Sequence, residues 1–378
     1  SRPSAWRCTA TTPNSRASSF SSSAFTFTPR HPRIAADRPT PRRRRGRLGT
    51  ALLCATALAL VLSPAANAFT LKVPGAANAP RMVFDSKMSV ASVCFPVTNP
   101  AGGASVLYGQ RFTDGPVSSS APAIVLVHGI AATWQCWLPV IPGLAKHHDV
   151  IAVDLPGFGK SVDLQIPEPS LEHFAQSILD LLDDLGIDRF HVSGNSLGGA
   201  VTLELLKSGR VLSYNGISAA GQTYGWFINV TKVALRGSYY GSRLIAPIAR
   251  ALLKLKPLRI VFLWQMLGHP GRATADYAYE LVHGCAVGSG FEATLAHAIP
   301  GHGLEVPAFD GPAQMLWGTR DYILPLSAVG RWAAKWPDLR IVPLPGLGHV
   351  PMQDDPDQIV RAIVAWTAAA DGTRAAAA

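Results

Sequence analysis

The feature that most constrains the fold is a seven-residue turn, Ser193-Gly194-Asn195-Ser196-Leu197-Gly198-Gly199. A short strand over residues 189–193 runs into it, and a helical stretch over 198–207 runs out of it. A strand that turns this sharply into a helix lifts the apex residue, Ser196, into the open, and the flanking glycines leave room for the bend. The turn therefore places a strand's carboxyl end against a helix N-terminus, which is α/β architecture.

The neighbouring sequence repeats that rhythm. Apolar runs at 123–128 and 150–154 have no polar alternation, as strands buried on both faces require. Further strands are predicted at 89–95, 105–112, 212–219, 314–317 and 339–344. A helical period of apolar residues at 171, 174, 178, 181, 182 and 185 predicts a helix ended by Gly186. Residues 327–335 and 357–370 read as two more helices. Strands alternating with helices imply a mostly parallel central sheet flanked by helices on both faces. The interval 222–312 breaks the pattern: it is far longer than an ordinary connection and rich in helix formers and aromatics. It reads as an inserted helical cap. The expected organisation is a leader at 1–68, a core formed by 69–221 and 313–378, and a cap or lid at 222–312.

Net charge is +10, which invites a nucleic-acid reading. Residues 1–68 alone account for it, with eleven arginines and one acid, Asp37. The charge thus carries no argument for nucleic-acid binding. In that leader an Arg-rich segment, 42–47, precedes an uncharged apolar run, 48–62, and then Ala66-Asn67-Ala68. This order is that of an export signal cleaved after Ala68. The apolar run is shorter than the roughly 20 residues a spanning helix needs. The expected destination is export, secreted or periplasmic. Residues 1–41 leave two readings open: a transit segment making the leader bipartite, with an organellar lumen as destination, or an extension upstream of the true start.

Of the five cysteines, Cys94, Cys136 and Cys285 lie beyond the leader. An odd number allows at most one internal disulfide, and no Cys or His spacing suggests a metal site. The simplest reading of each is a small buried hydrophobe.

A serine hydroxyl needs a base, and the base needs an acid to fix its tautomer. His349, in Gly348-His349-Val350-Pro351, follows the last predicted strand. Asp321, in Trp317-Gly318-Thr319-Arg320-Asp321, follows the strand before it. No acid follows the strand at 212–219, and Asp310 precedes its strand, at the wrong end of a sheet whose sites lie beyond the carboxyl ends. Ser196 as nucleophile, His349 as base and Asp321 as orienting acid come in the order Ser, Asp, His. The N–H groups of Leu197, at the helix start, and Ile130, in His128-Gly129-Ile130, are the expected oxyanion donors. His128 reads as a residue that shapes this loop. Trp134 is a candidate for the substrate pocket, with core packing as the alternative; Trp137 reads as core.

Five segments in order resemble the α/β-hydrolase superfamily: Val127-His128-Gly129, residues 154–161, residues 194–199, Trp317-Gly318-Thr319-Arg320-Asp321 and Gly348-His349-Val350-Pro351. The resemblance covers about residues 85–370 apart from the cap. It implies the α/β-hydrolase fold, the same Ser196, His349 and Asp321, and hydrolysis without cofactor or metal, in a lidded esterase- or lipase-like branch. Many members carry His before the nucleophile; here it is Asn195, which keeps a carbon–carbon bond hydrolase in view and places Asn195 among pocket residues. A serine nucleophile opposes the epoxide hydrolase and haloalkane dehalogenase branches.

The sequence reading is thus a serine hydrolase of a carboxylic ester, its substrate a small molecule or lipid. A carbon–carbon bond hydrolase, a perhydrolase or cofactor-free haloperoxidase on the same residues, and a non-catalytic binding protein are the rivals. Between residues 205 and 275 there are ten basic residues and no acid. Arg243, Arg250 and Lys254 fall at i, i+7 and i+11 on one helical face, opposite Leu244, Ile248, Leu252 and Leu255. Such a helix docks on anionic lipid, or steers acidic substrates, or is simply a solvated lid face.

Overall fold

Eight strands form one sheet in the order β1-β2-β4-β3-β5-β6-β7-β8. The structure is a computed structural model and describes residues 88–98, 104–114, 121–161, 166, 168–299 and 302–375. The predicted leader lies outside them. Strands β1 (Met88–Thr98) and β2 (Ala104–Asp114) pair antiparallel, and β2 pairs antiparallel with β4 (Asp149–Asp154). All other pairings, among β3 (Ala123–Val127), β4, β5 (Phe190–Asn195), β6 (Val211–Ile217), β7 (Ala313–Gly318) and β8 (Arg340–Leu344), are parallel.

The central strand β3 is apolar throughout because both of its faces are covered. Alternate residues of one strand enter opposite layers, as the period of two dictates. Val125 and Val127 pack with Phe174, Ile178 and Leu181 of α2 (Leu171–Asp184). Ile124 and Leu126 pack with Trp137, with α1 (Ile141–Leu144) and with Ile359 and Ile363 of the last helix. Trp137 is fully buried, as expected. Ser170 caps α2 by accepting the His173 N–H, and Gly186 leaves the helix at φ +69°.

The helix after the sharp turn is α3 (Leu197–Leu205), followed by a short 3₁₀ turn to Ser208. Strand β6 ends at Ile217, two residues earlier than predicted, because Ser218 takes φ +45° and turns the chain away. Between β6 and β7 the described chain is helical: α4 (Trp226–Ile245), α5 (Ala249–Leu252), α6 (Lys256–Leu263), α7 (Ala275–Val287) and α8 (Phe291–His297). The single amphipathic helix expected through 243–255 is not there. Pro247 follows α4 and Pro257 opens α6, and proline cannot donate its missing N–H within a helix. The chain closes with α9 (Ser327–Lys335), α10 (Pro351–Asp354) and α11 (Pro356–Ala375). None of the described helices is long and apolar enough to cross a membrane.

The helical excursion is laced to the sheet rather than set apart as a body of its own. Gly221 accepts the Leu304 N–H, and Gln222 donates its amide to the Leu304 carbonyl. Thr231 donates its hydroxyl to the Ile323 carbonyl, Val350 its N–H to the Met266 carbonyl, and Tyr277 its hydroxyl to the Cys136 carbonyl. Gly290 donates its N–H to the Gly157 carbonyl at 2.9 Å, where a side chain on either glycine would strike the other backbone.

Candidate active site

The site sits beyond the carboxyl ends of β3, β5, β7 and β8. Ser196 is held at φ +56° and ψ −117° between β5 and α3. That conformation is costly for a residue with a Cβ and survives only where the surroundings fix it. They do so here through backbone bonds: Ser196 donates its N–H to the Ile217 carbonyl, and its own carbonyl accepts the N–H of Gly199 and of Ala220. A Cβ on Gly194 would strike the Gly198 carbonyl, and one on Gly198 would strike the Val127 carbonyl. The glycines permit the close packing of β5, α3 and β3 that holds the serine in place.

Asp321 and His349 come together from the ends of β7 and β8. The His349 Nδ1 donates to Asp321 Oδ2 at 2.7 Å, with both side chains buried. The other carboxylate oxygen, Oδ1, accepts the N–H groups of Ile323 and Leu324 at 2.9 and 2.8 Å. With Nδ1 so engaged, Nε2 carries the free lone pair of the ring. His349 and Ser196 line one cavity.

Gly129 passes directly over the serine: a Cβ there would lie 3.0 Å from the Ser196 Cβ. This brings Ile130 to the site opposite Leu197. No backbone carbonyl among the described residues takes the N–H of Ile130 or of Leu197. His128 shapes this loop. Its Nε2 accepts the Leu155 N–H at 3.0 Å, so Nδ1 donates to the Gly129 carbonyl at 2.7 Å. Burial holds its imidazole down, at about 4, and therefore neutral.

Asn195 lines the same cavity as His349 but gives its amide to the backbone. It donates to the His349 carbonyl at 2.9 Å and the Ile217 carbonyl at 3.1 Å. Trp134, a candidate from sequence, lines neither chamber at the serine. Its backbone N–H donates to Asp154 Oδ1, and its ring packs against Phe112 with centroids 5.5 Å apart. It belongs to the apolar layer beside β2.

Two chambers meet at Ser196, sharing Ile130, Leu235 and Ile323 as walls. The first runs beneath α4 and α8 and is walled by Ile228, Leu295, Ala298 and Ile299. Its one charged wall residue is Lys232. The second runs toward α7 past Met266, Leu281 and Cys285. Cys136 and Cys285 are free, and burial raises both thiols, Cys285 to about 11. They serve as apolar wall. The Cys94 side chain lies outside the described side chains.

Two braces escaped the sequence reading. Asp354 accepts N–H groups from Gly268, His269 and Gly348, each at 2.8 Å, and so ties the excursion to the loop that carries His349. Asp154 accepts the N–H groups of Trp134 and Lys160 at 2.9 Å and receives the Ser161 hydroxyl on its carbonyl. Both bind backbone from elsewhere in the chain, which local pattern does not reveal. Among the described residues no cluster of metal-binding side chains occurs.

The chain is 31% identical over 252 residues to the dihydrolipoyllysine-residue acetyltransferase component of an acetoin cleaving system from Pseudomonas putida, covering 64% of this chain and 62% of that relative. An uncharacterized protein of Mycobacterium tuberculosis is 31% identical over 265 residues, 65% of this chain and 74% of its own. Among solved structures, a membrane phospholipase A described as a bacterial virulence factor superposes with a TM-score of 0.57 at 23% identity, over 86% of this chain and 98% of its own. A carboxylesterase of Bacillus subtilis does so with a TM-score of 0.54 at 19% identity, over 73% and 91%. The sequence model of the alpha/beta hydrolase family matches residues 124–362, the span that runs from β3 through the serine turn to α11, and the chain belongs to that family.

Proposed function

We propose that the chain is a serine hydrolase that cleaves a carboxylic ester with apolar substituents on both sides of the scissile bond. The observation that carries this reading is the junction of two apolar chambers at Ser196, beside the His349–Asp321 pair. An ester has two halves, and in this reading each chamber takes one. The site offers no second role for Asn195, whose amide is engaged with backbone carbonyls.

In the proposed mechanism Ser196 Oγ attacks the ester carbonyl carbon while His349 Nε2 takes its proton. Asp321 stabilises the imidazolium through Nδ1. The oxyanion accepts hydrogen bonds from the N–H groups of Ile130 and Leu197, the latter at the N-terminus of α3. Collapse of the adduct breaks the bond to the alcohol oxygen, which leaves with the proton from His349. Water then attacks the acyl-enzyme, giving its proton to His349, and the carboxylic acid departs as Ser196 is restored.

The test is labelling by a fluorophosphonate probe followed by turnover of a p-nitrophenyl ester series of increasing acyl length. Ser196→Ala should lose labelling and about 10³-fold or more of turnover. A variant that keeps most of its turnover would overturn the assignment.

A further inference from the structure

Helix α4 has two apolar faces, and only one of them is buried. Inward, Ile228, Thr231 and Leu235 line the first chamber. Outward stand Trp226, Val230, Val233, Tyr240 and Leu244, with Trp226 66% and Leu244 75% exposed. Their spacing of four, three, seven and four residues sets them in one line on the helix surface. Gly237 and Gly241, on the same line, form one wall of a groove whose other wall is Val261, Phe262 and Trp264. The ridge thus continues onto α6, where Ile260, Val261 and Trp264 are exposed and Trp264 meets Tyr322 with ring centroids 5.6 Å apart. Among the described residues every exposed large apolar side chain lies within 224–287 or at Tyr322 and Leu326. Apolar residues gathered on one side, not scattered, mark a contact surface.

The charge on this side is mostly positive, with Glu292 of α8 as the acid against it, accepting from Arg236 and from the Tyr240 hydroxyl. Lys232, Arg236 and Arg243 flank the α4 ridge, and Arg250, Lys254, Lys256 and Arg259 follow across α5 and α6. None of these three helices contains an acidic residue. Among the described residues only Arg236 of this set has a carboxylate partner, Glu292. Arg243 instead donates to the Tyr239 hydroxyl, and Arg250 lies over the Tyr279 ring.

We propose that the outer face of α4 and α6 docks on a lipid bilayer with anionic headgroups. The ridge enters the headgroup–acyl boundary, the basic flank meets the phosphates, and Trp226, Tyr240 and Trp264 sit at the interface their amphipathic rings favour. Charge decides against two other occupants. A second copy would bring cation against cation, and the Arg-rich residues 30–47 of the same chain would do likewise. The cations are spread over α4, α5 and α6, not along the single helix expected through 243–255, and the apolar ridge belongs mainly to α4.

The inference stands apart from the hydrolase reading, since Ser196→Ala should bind vesicles as the unaltered chain does. The experiment is co-sedimentation of the full chain with phosphatidylcholine vesicles, with and without phosphatidylglycerol, at low and high salt. The chain should pellet with the phosphatidylglycerol vesicles and be released by salt. Val233→Glu with Leu244→Glu, and separately Lys254→Glu with Lys256→Glu, should each lower the bound fraction roughly tenfold, with thermal unfolding unchanged. Absence of binding to phosphatidylglycerol vesicles, or binding indifferent to both pairs, would overturn the proposal. So would a dimer in gel filtration that Val233→Glu with Leu244→Glu dissolves, because the face would then belong to a second copy.

Discussion

Two buried residues near the site titrate in opposite senses, and both are neutral in the folded chain near pH 5. Burial pushes the Asp154 carboxyl up to about 6 and holds the His128 imidazole down to about 4. The ordinary values are about 3.9 and 6.5. Between about pH 4 and 6 folded Asp154 keeps a proton that the unfolded chain releases, so its contribution to stability falls as pH rises. Between about pH 4 and 6.5 the unfolded chain protonates His128 and the folded chain does not, so that contribution falls as pH drops. The two slopes oppose each other. Asp154→Asn removes the first and leaves the second. Urea unfolding of the variant should therefore show a steeper loss of stability on acidification than the unaltered chain, and equal slopes would contradict it. Neither role is a matter of composition. His128 was readable as a loop-shaping residue because another histidine already filled the base position. Asp154 was visible only as part of a motif, since its partners at 134 and 160 are backbone N–H groups.

At the scale of elements, the strand–turn–helix at Ser196 was legible because its glycines have a local steric reason. The order of serine, acid and histidine was legible because each follows a strand. The helices of the excursion were less so. A spacing of seven and eleven residues through 243–254 suggested one amphipathic helix, but Pro247 and Pro257 carried the overriding signal. The tie at Asp354 was not legible at all, because Gly268 and His269 lie more than eighty residues away in sequence. It joins the turn after α6 to the loop of His349. Asp354→Ala would leave one buried and two part-buried N–H groups without their acceptor, a loss of about 2–3 kcal/mol in unfolding free energy. It should also lower kcat more than it raises KM, because the His349 loop loses its anchor while the chamber walls stay in place. Measured denaturation and ester kinetics would check both, and unchanged kcat would show that the tie serves stability alone.

Across the whole molecule, charge and compliance are unevenly distributed. The sequence already separated the leader's arginines from the basic stretch at 205–275, and the structure places that stretch beside exposed apolar side chains. Sequence could not say which side of α4 faces out, since both sides carry apolar residues. Packing decides it, with Ile228, Thr231, Tyr239 and Ser242 buried. The lacing of the excursion is also uneven. Hydrogen bonds to the core occur at Leu304 with Gly221, at Gln222 with Arg331, at Thr231, from Met266 to His269, at Tyr277 and at Gly290. From Lys232 to Gln265 the polar side-chain contacts among the described residues stay within the excursion, to Tyr239, Gly288, Glu292 and neighbouring carbonyls. Native-state amide exchange should therefore be fastest in α5 and α6 and slowest in α7, where Tyr277 and Leu281 pack into the core. Uniform exchange across the five helices would count against this.

That unevenness gives the excursion a direction of yielding. A cover stitched down along most of its margin lifts only where the stitching stops. Here the unstitched margin is the arc over α5 and α6, and the groove between Gly237 and Trp264 opens along it. A bulky molecule that needs more room than the two chambers offer gains it on that side first, without breaking any of the bonds that hold Ser196, Asp321 and His349 in register.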